Sequence, residues 1–173
     1  MNIGAWVPLE QEVVTGMVDA AGNAPGVNQY HDIGCGDGRM LDAADVVGIR
    51  NIYGVEIDPT LAQGCIDRGL DVTMGDVENY TLSELCGNKA CSAVTVWCTD
   101  PAVSVTLMEK CWNELPNNGR LIWLYDSRRM QRDGVPVDVA TCGIPPYPLP
   151  APNGWTPIFE QTILGNRFFL FVR

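Results

Sequence analysis

The segment Asp32-Ile33-Gly34-Cys35-Gly36-Asp37-Gly38-Arg39 limits what this chain can fold into more than any other stretch. Glycines at alternate positions allow a backbone to leave a strand, turn sharply and enter a helix, because a residue without Cβ reaches conformations and close approaches closed to the others. Glu56, in Val55-Glu56-Ile57-Asp58, lies twenty residues past Gly36, the distance at which a β-α-β unit returns its second strand to the same edge. A strand before the turn, a helix after it and an acid at that spacing specify such a unit.

The rest of the chain reads in the same alternation. Apolar residues Val13, Val14, Met17, Val18 and Ala21 recur at helical spacing and predict a helix over 9–21 that ends at Gly22. Strands are expected over 28–33 and 51–57, with a helix over 39–47 between them that ends at Gly48. Pro59 suits the first turn of a helix running to 68. A short strand over 71–74 and a short helix over 82–86 follow. Residues 93–98 form a continuous, β-branched apolar run, the pattern of a central strand covered on both faces. A helix over 101–115, the turn Pro116-Asn117-Asn118-Gly119 and a strand over 121–125 come next. Two strands over 156–164 and 167–172, joined at Gly165-Asn166, close the chain as a hairpin.

This order predicts an α/β fold: a doubly wound, mostly parallel seven-stranded sheet with a C-terminal antiparallel hairpin, in a three-layer αβα sandwich. The 173 residues are expected to form one domain, with 1–26 as a lead-in helical segment and 127–155 as a loop inserted before the hairpin. That insert holds half of the twelve prolines, among them Pro145, Pro146, Pro148, Pro150 and Pro152, and cannot be a long helix beyond about residue 132. It is either a lid or partner-binding segment over the ligand edge or a proline-stiffened connection.

The turn's chemistry narrows the ligand. A dinucleotide site has a third small residue where this chain has Arg39, and the carboxylates of Asp32 and Asp37 would repel a pyrophosphate. S-adenosylmethionine, with an adenosine, an ammonium and a sulfonium, suits an acidic rim. Here the chain resembles the class I, seven-stranded S-adenosylmethionine-dependent methyltransferases over essentially its whole length. The family's glycine-rich motif corresponds to Asp32 to Gly38, its ribose-binding acid to Glu56, and its adenine-contacting Gly-Asp to Gly75-Asp76. The resemblance implies S-adenosyl-L-methionine as cofactor, held by Asp32, Gly34, Cys35, Gly36, Gly38, Glu56, Ile57, Asp76, Val77 and Cys98. Trp6-Val7-Pro8 with Glu12-Val13-Val14 is similar to the segment ahead of that motif in small protein-lysine methyltransferases. That similarity implies Trp6 and Pro8 as acceptor-facing residues, and the class I resemblance adds Asp100 and Pro101, with Asp100 as the catalytic candidate; the other reading of Asp100 is a cap for the helix after it. Methyltransferases of base amino groups carry Asp/Asn-Pro-Pro-aromatic at this place. This chain reads Asp100-Pro101-Ala102-Val103, without the second proline or the aromatic.

Acids recur at the ends of successive strands: Asp32, Glu56 and Asp58, Asp76 and Glu78, Asp100, and Asp126. Asp58, before Pro59, reads as a helix cap, and Asp37 and Asp126 are further capping or turn candidates. Such an edge concentrates a negative field that favours a cationic cofactor and an amine acceptor. The expected function is methyl transfer to an unidentified acceptor, first a protein lysine amine. The alternatives are a non-catalytic S-adenosylmethionine-binding module, a base amino-methyltransferase and a nicotinamide oxidoreductase. His31, inside the first strand, reads as a satisfied core histidine rather than a base, and Arg128, Arg129 and Arg132 as a solvated basic face.

Composition sets the remaining bounds. A net charge of -10 disfavours a nucleic-acid partner, because grip on phosphates rests on Lys and Arg. Seven cysteines without a C-x-x-C, and a single histidine, point away from a metal site and toward reduced thiols in a cytoplasm. With no leader-like start and no apolar run of about 18 residues, no membrane partner is expected. The partner implied is the acceptor substrate, with a protein as the first expectation.

Overall fold

A computed structural model describes residues 8–22, 27–97, 101–125, 131–132, 135–136 and 157–173. Helix α1 (Gln11–Gly22) forms where the helical spacing places it, and its stripe of Val13, Val14, Met17, Val18 and Ala21 is completely buried. The chain then alternates through β1 (Gln29–Ile33), α2 (Arg39–Val46), β2 (Asn51–Glu56), α3 (Pro59–Asp67), β3 (Val72–Met74), a 3-10 turn (Val77–Asn79), α4 (Leu82–Leu85), β4 (Ala93–Val96), α5 (Pro101–Glu114) and β5 (Arg120–Tyr125). The hairpin strands β8 (Phe159–Ile163) and β9 (Asn166–Val172) end it.

Seven strands form one sheet in the order β3-β2-β1-β4-β5-β9-β8. The pairs from β3 to β5 are parallel, while β9 runs antiparallel to β5 and β8 antiparallel to β9. Residues alternate between the faces as strand geometry requires. Ile122 and Leu124 of β5 join Phe168 and Leu170 of β9 in the cluster under α1, α2 and α3. Leu121 and Trp123 join Phe169 and Phe171 in the cluster under α4 and α5, where Trp123 Nε1 donates to Ser104 Oγ at 2.7 Å. The three-layer expectation holds, and strand order reverses between β1 and β4, the switch point where ligands bind in open α/β sheets.

Three local readings need correction. The hairpin loop is Leu164-Gly165, one residue earlier than expected, with φ of 50° and 78° as a two-residue turn of the primed type demands. Asn166 is withdrawn into β9 and fully buried, with its Nδ2 3.4 Å from Glu10 Oε2 and from the carbonyls of Ile163 and Leu164. Second, the 127–155 insert is not wholly a loop: β6 (Gln131–Arg132) and β7 (Val135–Pro136) pair there as a small antiparallel ribbon. Third, the central run is a strand only to Val96, with Trp97 irregular.

Candidate functional site

The glycine turn is built as its spacing implied. The amides of Gly34 and Cys35 both donate to the Val55 carbonyl, at 2.9 and 3.1 Å, which bends the chain out of β1 and across the end of β2. Gly34, Gly36 and Gly38 adopt φ of 72°, 56° and 81°, a left-handed conformation in which a side chain is strained. Gly38 serves packing: a Cβ there would stand 2.6 Å from Leu70 Cδ1 and 2.7 Å from Arg68 Nη2. Cys35 turns inward over Gly54, where a Cβ would approach its Sγ to 2.8 Å. Cys65 Sγ donates to the Gly36 carbonyl at 3.3 Å, bracing the turn from α3. Burial, then the charges of Asp32 and other neighbours, push the Cys35 thiol well above its usual range, so it is an inert buried thiol.

Glu56, the last residue of β2, is 3% exposed, and backbone amides hold both of its oxygens. Gly36 N donates to Oε2 and Asp58 N to Oε1, each at 2.8 Å. The carboxylate is thus oriented by the turn it was expected to serve, and each oxygen keeps a second lone pair. Asp58 caps α3, accepting from the amides of Thr60 and Leu61 at 2.8 and 3.2 Å.

Asp32 is 5% exposed beneath the turn. Its Oδ1 accepts from the Thr95 hydroxyl, which lies 2.8 Å from the Tyr30 hydroxyl in turn. Burial raises the Asp32 carboxyl to about 7, the Thr95 hydrogen bond opposes this, and the charges of Glu56 and Asp37 add to it. The acid therefore titrates near neutrality.

Asp37 and Arg39 depart from expectation. The N-cap residue of α2 is Gly38, with no side-chain cap bond, and Asp37 Oδ1 accepts from the amide of Arg39, the first residue of the helix, at 3.3 Å. Arg39 Nε donates to both Asp37 oxygens, at 2.9 and 3.1 Å, and Arg39 Nη2 to Oδ2 at 2.5 Å. Burial works against the Asp37 charge, but the hydrogen bonds from Arg39 outweigh it and hold the carboxyl below its usual range. Arg39 Nη1 also donates to the Leu9 carbonyl at 2.5 Å, tying the turn to the segment ahead of α1. Arg39 counted only as a missing small residue in the sequence, yet it neutralises one acid of the turn and positions Leu9.

Two clefts open along this edge. One, with about 300 Å³ of empty space including its mouth, runs from Gly34 and Val55 past Ile57, Asp76 and Val77 to Leu107. The other, with about 390 Å³ of empty space counted the same way, is lined by Pro8, Leu9, Met17, Asp32, Arg39 and Met40 among others. Ile33, Gly34 and Trp97 line both. Asp76 caps the 3-10 turn, its Oδ1 accepting from Glu78 N at 3.0 Å. The structure thus brings together Asp32, Gly34, Cys35, Gly36, Glu56, Ile57, Asp76, Val77 and Pro8, and starts α5 at Pro101. Trp6, Cys98, Asp100, Asp126, Arg128 and Arg129 lie outside the described residues. Sequence reasoning missed Met17, Met40, Trp97 and Leu107, which no motif singles out and which are recognisable as cleft walls only once the strands are ordered.

His31 is core, but not satisfied: it is fully buried and both ring nitrogens lack a hydrogen-bond partner. Burial lowers it to about 3, so the ring is neutral. A roomier groove, of about 740 Å³ between α1 and β8, stands on another part of the surface and has no part in this edge. Among the described residues no three His, Cys, Asp or Glu side chains form a group that could hold a metal, and no helix is long and apolar enough to cross a membrane.

Comparison with known proteins places this geometry. The family model described as "Methionine biosynthesis protein MetW" matches residues 20–91, the stretch from the end of α1 through the turn, Glu56 and Asp76. No curated protein matches the chain. Among solved structures, an RNA methyltransferase from Salinibacter ruber in complex with S-adenosyl-L-homocysteine superposes with a TM-score of 0.68 at 19% identity, covering 96% of this chain and 93% of that one. The N-methyltransferase NodS from Bradyrhizobium japonicum WM9 gives a TM-score of 0.68 at 12% identity, over 94% of this chain and 95% of its own. Fibrillarin from Aeropyrum pernix, with natively bound S-adenosyl-L-methionine, gives 0.63 at 14% identity, over 93% and 74%.

Proposed function

We propose that this chain, which has the fold of the class I methyltransferases, is an S-adenosylmethionine-dependent methyltransferase acting on an amine. The observation that carries the reading is Glu56, fixed by Gly36 N and Asp58 N at the carboxyl end of β2 beside a left-handed glycine turn. Its remaining lone pairs suit two vicinal hydroxyls of a ribose. The cleft along Ile57, Asp76 and Val77 offers apolar walls and one carboxylate to an adenine and its exocyclic amine. The other cleft offers Asp32 to an ammonium, whose charge would favour the ionised form of that acid. These residues fit the cofactor's parts, and neutralisation of Asp37 by Arg39 does not remove the acidic character that Asp32 and Glu56 supply. When bound, the cofactor supplies a methyl group made electrophilic by its sulfonium.

The acceptor remains a matter of chemistry rather than likeness. A net charge of -10 favours a cationic amine-bearing acceptor over a nucleic acid, and a protein lysine is the first candidate. Methyl transfer needs the amine aligned and unprotonated. Trp6, Pro8 and Pro101 are assigned to its approach, and Asp100 to accepting an amine hydrogen.

Labelled methyl transfer into separated protein, RNA, DNA and small-molecule pools from the source cell tests this reading. Label in protein, with stoichiometric S-adenosylhomocysteine, is expected. Asp100→Ala should then slow turnover while cofactor affinity stays the same. Cofactor binding without S-adenosylhomocysteine from any pool would make the chain a non-catalytic binding module, and label in RNA alone would overturn the protein-lysine acceptor.

A further inference from the structure

Trp97 stands where the two clefts meet. It follows β4 directly, next to the switch point, is half-buried, and lines both clefts together with Ile33 and Gly34. Its side chain packs against the cluster that contains Leu9, Met17 and Met40, so the indole belongs to the wall of the second cleft. If the first cleft takes the adenosine and the second the amino-acid portion, the atom that joins them is the sulfonium, which must lie at the junction. Of the three residues there, Ile33 and Gly34 present no charge and no π surface. The two buried carboxyls beside the turn serve other parts of the cofactor on that reading, Glu56, held by two backbone amides, the ribose and Asp32, held by Thr95, the ammonium.

We infer that Trp97 is a specificity-determining residue that reads the charge of the cofactor, its indole face stabilising the sulfonium by a cation–π contact that the neutral product S-adenosylhomocysteine cannot make. This rests on the methyltransferase reading and deepens it. An aromatic face within about 6 Å of a desolvated cation is worth about threefold to thirtyfold in affinity. The same contact would help the product leave, because demethylation of the cofactor removes the positive charge but leaves its shape nearly unchanged.

The test is calorimetric titration of the full chain with S-adenosylmethionine and, separately, with S-adenosylhomocysteine, for wild type, Trp97→Phe and Trp97→Leu. Wild type should prefer the cation by about threefold or more, Trp97→Phe should keep part of that preference, and Trp97→Leu should abolish it while the neutral ligand binds nearly as before. Equal weakening toward both ligands, or no change, would overturn the inference and leave Trp97 a shape-filling wall. Failure of wild type to bind either ligand would instead sink the cofactor assignment, and this inference with it. A second measurement does not depend on the variants folding. The S-methyl proton resonance of bound S-adenosylmethionine should move upfield in wild type from the indole ring current, and a resonance unshifted on binding would refute the contact.

Discussion

Two neighbouring residues of β1 have opposite proton linkages, and separating them makes a quantitative test of the structure. His31 is lowered from 6.5 to about 3 by burial, while Asp32 is raised from 3.8 to about 7, chiefly by burial. Between about pH 4 and 6.5 the folded chain therefore holds a neutral imidazole and a protonated carboxyl, and the unfolded chain an imidazolium and a carboxylate. Unfolding takes up a proton at residue 31 and releases one at residue 32. The contribution of His31 is present above its ordinary value and lost as pH falls toward 3; that of Asp32 is fully present below its ordinary value and lost as pH rises through 7. Over the shared window the two slopes cancel. His31→Leu removes one of them and also removes two buried ring nitrogens that no group satisfies. The variant should be more stable than wild type by about 1–2 kcal/mol at pH 7, from loss of the unsatisfied polar group. That advantage should grow by about 1.4 kcal/mol per pH unit below 6.5, adding about 3 kcal/mol by pH 4. Urea unfolding of both proteins at pH 4, 5, 6 and 7, followed by circular dichroism, measures the difference, and other titrating groups cancel between the two. A difference that stays constant with pH would refute the neutral, unpartnered histidine. Asp32→Asn reports the other half. Since a buried amide resembles the protonated acid, it should match wild type near pH 4 and gain stability toward pH 7, by ~4 kcal/mol at most.

Glu56→Ala removes charge-assisted bonds from the amides of Gly36 and Asp58, each worth roughly 1.5–3 kcal/mol. Water at the open edge replaces part of this, so unfolding free energy should fall by about 3 kcal/mol, with cofactor affinity falling at least tenfold. Urea unfolding and calorimetry read the two effects, and unchanged stability would mean that the carboxylate does not hold the turn. Leu164→Asn should raise the unfolding temperature, because Leu164 sits exposed at φ 50° in a turn that favours Asn. A gain of about 0.5–1 kcal/mol corresponds to about 1–4 °C for a domain of this size. A lowered temperature would show that its conformation carries no strain.

How far the site was legible depends on where each interaction lies along the chain. Gly34, Gly36 and Glu56 could be read because a β-α-β unit is a local object: strand, turn, helix and returning strand follow within about thirty residues. Asp58 could be read because a helix cap acts over two or three residues. Trp97 could not, since it becomes a cleft wall only because β4 crosses over to lie beside β1 and brings residues far apart in the chain together. Arg39 shows the same limit in reverse. Its pairing with Asp37 is local, but its bond to Leu9 spans thirty residues and reverses its significance.

The alternation of periodicities, the glycine turn and the spacing to Glu56 determined by themselves that this chain forms a doubly wound sheet with a ligand edge, because backbone sterics and hydrophobic period act over short range. Tertiary structure alone decided the charge at that edge. Asp32 and Asp37 are both aspartates of one eight-residue segment, yet the first is buried and holds its proton to near neutrality while the second is held ionised by Arg39. Solvent exclusion and the placement of a partner set those energies, and neither is a property of the residue type.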